Sequence, residues 1–171
     1  MSGFIERGDD VGYSEKIKIC IQSFFESEDW TYSFDTDGVF IARLSFDNKL
    51  RHCVIKAVLG YDYYVVYGEI AIFADDDSFI GVSEYLHRIN NRLENGSFEL
   101  DYEDGGIRFK VFTDCGDKCD CLPTHSIIKR TLELPGIMFE KYGNGLLAVM
   151  FGFKKPLEAL RDIDYRETVS F

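Results

Sequence analysis

The chain has 171 residues, including 15 Phe and ten Tyr, and this length and apolar content suit one domain with a substantial core. Its formal net charge of −11 argues against nucleic acid and anionic membranes as partners, because both are bound by basic surfaces. With only three Pro and no low-complexity stretch, we expect a flexible N-terminus over residues 1–12 and a single domain over residues 13–171.

The N-terminal sequence and the cysteine content predict a cytoplasmic protein. The first residues lack the basic stretch and apolar run of a secretory signal, and no run of about 18 apolar residues is present to span a membrane. Five cysteines are an odd number, and two of them lie in apolar surroundings, which favours reduced thiols over a disulfide framework.

The first half of the chain predicts one helix followed by antiparallel strands. Apolar residues at helical spacing between Tyr13 and Glu28 indicate an amphipathic helix. Alternating apolar and polar residues then predict strands joined by short turns, which makes a meander of neighbouring strands. Gly68 interrupts the last of them and indicates a bulge or a close approach of another backbone. The expected strands cover residues 30–35, 39–46, 50–59 and 63–74.

A second helix and a hairpin are predicted between Ser83 and Phe112. Ser83 is expected to cap the helix, and Asn95-Gly96 to end it. With Gly105-Gly106 as a two-residue turn, Glu103 would lie opposite Arg108 across the hairpin. The same register places Asp101 opposite Lys110, Tyr102 opposite Phe109 and Leu100 opposite Val111.

The last third of the chain is predicted to be helical. Thr124 can cap a helix through Leu134, Pro135-Gly136 is expected to break or kink it, and Pro156 opens a short terminal helix. Together these elements predict an α+β fold with the element order α-β-β-β-(β)-α-β-β-α-α, in which helices pack on one face of an antiparallel meander.

The helix–glycine–hairpin segment resembles the YbjN family, a group of small bacterial proteins labelled sensory transduction regulators, whose fold is similar to that of type III secretion chaperones. The residues that carry the resemblance are Ile89-Asn90, Leu93, the run from Gly96 to Asp101, and Gly106 to Phe109. The resemblance implies a non-enzymatic protein-binding or regulatory module that forms a homodimer and holds an unidentified polypeptide partner.

Four tyrosines are candidates for the contact surface, because their amphipathic rings suit interfaces. The alternative is that half of them belong to the core. The four candidates are Tyr61, Tyr63, Tyr64 and Tyr67.

A cysteine-rich segment supplies a second hypothesis, a metal-binding or thiol-redox sensor. Cys115, Cys119, Cys121 and His125 are four possible ligands within eleven residues, although a simple acidic, reduced loop also fits them. The sequence has no nucleophile elbow, phosphate loop or dinucleotide fingerprint, so we expect neither enzymatic activity nor a cofactor.

Overall fold

The computed structural model describes residues 12–117 and 120–169, with side chains up to residue 164. Within these residues it has the predicted α+β class, with four helices and six strands. The elements are α1 Glu15–Ser27, β1 Tyr32–Phe34, β2 Val39–Ser45, β3 His52–Leu59, β4 Tyr63–Glu69, α2 Phe79–Asn90, β5 Ser97–Leu100, β6 Ile107–Asp114, α3 His125–Met150 and α4 Pro156–Val169. All but Gly12 of the predicted flexible N-terminus lies outside the described residues.

The six strands form one antiparallel sheet in the order β1-β2-β3-β4-β6-β5. The first four strands are a meander, as predicted, because each is joined to its neighbour by a short turn. Strand β6 returns beside β4, and β5 lies outside β6. The edges of the sheet are therefore β1 and β5.

The helices cover one face of the sheet. Strand β3 shows the pattern plainly, since Cys53, Ile55, Ala57 and Leu59 are buried and the residues between them are only half-buried. Helix α3 lies over the middle of this face, and α1 covers the β1–β2 end through Phe25. We call this the helix-covered face, and the opposite one the open face. Among the described residues, no helix is long and apolar enough to cross a membrane.

Helix α3 packs tightly against the sheet at Gly68. The strand pairs there without a bulge, with Gly68 between Ile55 and Phe109. A methyl group added to Gly68 would overlap Cβ of Pro135, so the glycine permits a close approach of helix and sheet. Of the two alternatives predicted at Pro135-Gly136, a break or a kink, the break is wrong, since α3 continues through both residues. Both are buried against the sheet, and this packing offsets the hydrogen bond that proline cannot donate.

Helix α2 begins earlier than predicted. Its N-cap is Ser78, and the predicted cap Ser83 lies inside the helix. Asp75 and Ser78 exchange backbone-to-side-chain hydrogen bonds, Asp75 N to Ser78 Oγ at 3.1 Å and Ser78 N to Asp75 Oδ1 at 3.0 Å. This reciprocal pair starts the helix, so Asp75, the first of three consecutive aspartates before α2, has a structural role.

The β5–β6 hairpin has a longer connection and a different register from those predicted. Glu99, not Glu103, lies opposite Arg108, and their side chains form an ion pair at 2.6 Å. Residues 101–106 form the connection, which docks on the segment before α2 through a hydrogen bond from Ala74 N to Gly105 O at 2.9 Å. This tertiary contact outweighs the local preference for a two-residue Gly-Gly turn. The other predicted cross-strand pairs are wrong for the same reason, namely Asp101 with Lys110, Tyr102 with Phe109 and Leu100 with Val111.

Candidate functional site

The open face of the sheet carries a row of apolar side chains that crosses four strands. Val39 of β2 pairs with Val58 of β3, Val58 with Val65 of β4, and Val65 with Phe112 of β6. Tyr63 lies two residues before Val65 on the same face, beside Phe112. We call these five residues the apolar patch. A sheet face left to solvent is ordinarily polar, so a continuous apolar row on it is a candidate contact surface.

The two aromatic rings of the apolar patch project into solvent. Phe112 is 59% exposed and Tyr63 is 39% exposed, with ring centroids 5.4 Å apart. Val65, between them and Val58, is buried by its neighbours on the strands. The rings are therefore fixed by each other and by the sheet while their outer surfaces stay accessible. Rigid aromatic side chains of this kind lose little conformational entropy on binding, which makes them effective anchors.

Beyond the apolar patch, the open face carries two close ion pairs. Lys56 and Glu69 form an ion pair at 2.6 Å, as do Arg108 and Glu99. The ring of Tyr67 lies under the Arg108 guanidinium, 5.0 Å from its centroid. Beyond the apolar patch the open face is mixed, because Ile41 lies in register with Lys56, and Val54 with Arg43 and Glu69.

The predicted tyrosines do not share one environment. Tyr63 belongs to the apolar patch, Tyr67 to the charged part of the open face, and Tyr61 is exposed in the β3–β4 turn. Tyr64 is fully buried on the helix-covered face, where its hydroxyl lies 2.9 Å from Thr131 Oγ1 and burial raises its pKa. Successive strand residues point to opposite faces, so Tyr64 faces the core while Tyr63 faces solvent. Tyr64 therefore cannot contact a partner.

The patch residues other than Tyr63 were missed by the sequence reasoning. A signal for Phe112 was present, since Arg108 and Lys110 alternate with apolar residues on β6 and Phe112 continues their polar face. The valines gave no such signal because they lie on β2, β3 and β4, where both faces of each strand are rich in apolar residues. Only the cross-strand register reveals that they line up with Phe112.

The cysteine-rich segment adjoins the strand that carries Phe112. Cys115 is buried, with its amide donating to Asp62 O at 2.7 Å, and Cys121 is exposed, with its amide donating to Cys115 O at 3.0 Å. The Asp120 carboxylate raises the pKa of the Cys121 thiol, which lowers its thiolate fraction. Cys119 lies outside the described residues.

His125 is directed to helix α1. Its Nε2 lies 3.3 Å from Glu28 Oε1 and 3.3 Å from Ser27 Oγ, and its ring packs on Phe24 at 4.9 Å. The Lys129 ammonium hydrogen-bonds Glu28 at 2.9 Å and lowers the pKa of that carboxyl. In the part of the chain that the structure describes, no three His, Cys, Asp or Glu side chains form a group that could hold a metal ion.

The two edges of the sheet differ in their availability. On β5, the Asn90 side chain accepts from Phe98 N at 2.8 Å and donates to Phe98 O at 2.9 Å, so it takes the place of a neighbouring strand. On β1, no described side chain forms such a pair with the strand backbone. An added strand would therefore be blocked at Phe98 of β5, whereas the described side chains place no such block on β1.

No protein-family model matches the chain, and no curated protein matches it. The resemblance to the YbjN family stays a prediction from the sequence.

Proposed function

We propose that the protein is a non-enzymatic protein-binding or regulatory module that contacts its partner through the apolar patch. The observation that carries this proposal is the apolar row in register across β2, β3, β4 and β6, on the face that no described helix covers. Burial of its projecting rings would supply binding free energy through the hydrophobic effect.

The resemblance to YbjN proteins and to secretion chaperones adds two partners to the proposal, a second copy of the chain and a polypeptide segment. The open edge at β1 offers a further route to a polypeptide, by addition of a strand. The odd cysteine count favours reduced thiols, so the proposal places this binding in the cytoplasm.

Substitutions in the apolar patch test the proposal. The double variant Tyr63→Ser with Phe112→Ser removes both projecting rings, and the control Ile137→Ser with Phe153→Ser removes two exposed apolar side chains from α3 and the α3–α4 turn. Each protein is affinity-purified from the cells that naturally produce it, and the co-purified proteins are quantified by mass spectrometry. We expect a partner that is retained by the wild type and the control and lost from the patch variant.

Circular dichroism and chemical denaturation of the same proteins establish that both variants are folded. We expect little change, because the altered side chains are exposed in the structure. Equal retention of every co-purified protein by the wild type and both variants would contradict the proposal.

A further inference from the structure

The chain enters the fold at the end of the sheet where the apolar patch lies. Gly12 is the first described residue, and two residues later Ser14 N donates to Gly60 O, in the β3–β4 turn, at 2.9 Å. A methyl group added to Gly60 would overlap the ring of Tyr63, so this patch ring lies over the residue to which the entering chain is hydrogen-bonded. The chain that precedes Gly12 therefore starts beside the apolar patch.

The valine end of the apolar patch is equally near. The ring of Tyr13 packs on Gly38, where an added methyl group would overlap it, and Val39 of the patch is the next residue along the chain. Gly38 O accepts from Leu59 N at 3.0 Å, which ties this turn to the residue that follows Val58. The entering chain thus lies along the rim of three strands that contribute to the patch, β2, β3 and β4.

The length and sequence of residues 1–11 suit the apolar patch. Phe4 and Ile5 are adjacent apolar residues, eight and seven positions before Gly12, and an extended chain spans that separation in about 25 Å. The apolar row crosses four strands and is about 14 Å long. Phe4 and Ile5 can therefore reach every position of the row, including Phe112 at its far end.

Attachment to the same chain favours this contact. A segment tethered a few residues from a surface has an effective concentration there on the order of millimolar, so even a weak apolar contact is populated. The exposed ring surfaces of Phe112 and Tyr63 are the area that Phe4 and Ile5 would bury. The C-terminal end has no such access, because α4 packs on α2 and α3 over the helix-covered face.

We infer that residues 1–11 of the same chain occupy the apolar patch in the unbound protein, with Phe4 and Ile5 against Phe112 and Tyr63, and that a polypeptide partner displaces them. This inference rests on the proposed function and adds a regulation of its contact surface. An occupant of this kind weakens the apparent affinity for a partner, because only molecules whose patch is uncovered can bind.

Photo-crosslinking of the purified full chain tests the inference. A benzophenone amino acid replaces Phe4 in one protein and Ser23, an exposed residue of α1, in a control. After irradiation of a dilute sample, the protein of monomer mass is digested, and mass spectrometry locates the crosslinked residues. We expect position 4 to crosslink within the chain to Tyr63 or Phe112, and position 23 to crosslink to neither.

Matched variants locate the contact. Tyr63→Ser with Phe112→Ser should reduce the crosslink from position 4 to strands β4 and β6 about tenfold, because both projecting rings are removed. The control Ile137→Ser with Phe153→Ser, which alters α3 and the α3–α4 turn, should leave the yield of this crosslink unchanged.

Release of the segment should make the patch available to its partner. Phe4→Ser with Ile5→Ser should raise the amount of co-purified polypeptide a few-fold, because a larger fraction of molecules has an uncovered patch. The control Asp9→Asn with Asp10→Asn changes the same segment without removing an apolar side chain, and it should capture the wild-type amount.

Four results would overturn the inference. Crosslinks from position 4 that join two chains would make a second copy the occupant of the patch. Equal crosslinking in the patch variant, or no crosslink to the patch, would show that the segment does not occupy it. Unchanged capture by Phe4→Ser with Ile5→Ser would show that the segment does not regulate the patch. In each case the proposed function is decided separately, by loss or retention of the co-purified polypeptide in the Tyr63/Phe112 variant.

Discussion

At the scale of single residues, the approach of helix α3 to the sheet depends on Gly68. The methyl group of Gly68→Ala would meet Cβ of Pro135, on a helix that is held by the rest of the core. We expect overpacking to lower the free energy of unfolding by about 1 to 3 kcal/mol, as measured by chemical denaturation. Gly81→Ala is the comparison, because its methyl meets one Val149 methyl at 3.3 Å and alanine favours the helix. Equal stability of Gly68→Ala and the wild type would contradict the close contact.

The reactivity of Cys121 is a second prediction at this scale. Because Asp120 raises the pKa of the Cys121 thiol, Asp120→Asn should increase the thiolate fraction at pH 8 and speed alkylation by iodoacetamide a few-fold. Tandem mass spectrometry that localises the label gives the rate at each cysteine. Burial raises the pKa of Cys53 to about 12, so that residue should stay unlabelled while the protein is folded. An unchanged or slower reaction of Cys121 in Asp120→Asn would contradict this role of the carboxylate.

At the scale of elements, Asn90 joins helix α2 to the edge of the sheet. Asn90→Ala removes two hydrogen bonds to Phe98, so we expect a loss of about 2 kcal/mol in stability and faster hydrogen exchange of the Phe98 amide. The freed β5 edge should also promote self-association at high concentration, visible in light scattering.

Asn91→Ala is the matched control, since Asn91 follows Asn90 and is exposed. Asn91→Ala should change neither the stability of the protein nor the hydrogen exchange of the Phe98 amide. If Asn90→Ala behaves in the same way, the side chain does not protect this edge.

The elements could be predicted from the sequence to different degrees. The meander follows from apolar and polar residues that alternate between short turns. Helix α1 follows from apolar residues that recur every 3.6 positions on one side of the helix. The start of α2 carries a local signal that the prediction overlooked, because Asp75 and Ser78 lie only three residues apart and hydrogen-bond each other reciprocally. The β5–β6 register could not be predicted in this way, because it depends on a tertiary contact, the docking of Gly105 on Ala74.

At the scale of the whole molecule, the candidate site is a property of the assembled sheet. Its residues come from four strands, and only the pairing of those strands brings them into one row. The tyrosine-rich run therefore indicated Tyr63 and Tyr64 alike, although the two residues lie on opposite faces. A one-residue difference along a strand decides whether a side chain is in the core or on the contact surface.

The central claim is that the apolar patch contacts another polypeptide, and site-specific photo-crosslinking tests it most directly. A benzophenone amino acid replaces Phe112 in one protein and Ile137, an exposed residue of α3, in a second. After irradiation in the cells that produce the protein, covalent adducts are counted and identified by mass spectrometry. We predict adducts to one polypeptide from position 112 and none to it from position 137. Equal labelling from both positions, or no adduct from position 112, would contradict the account.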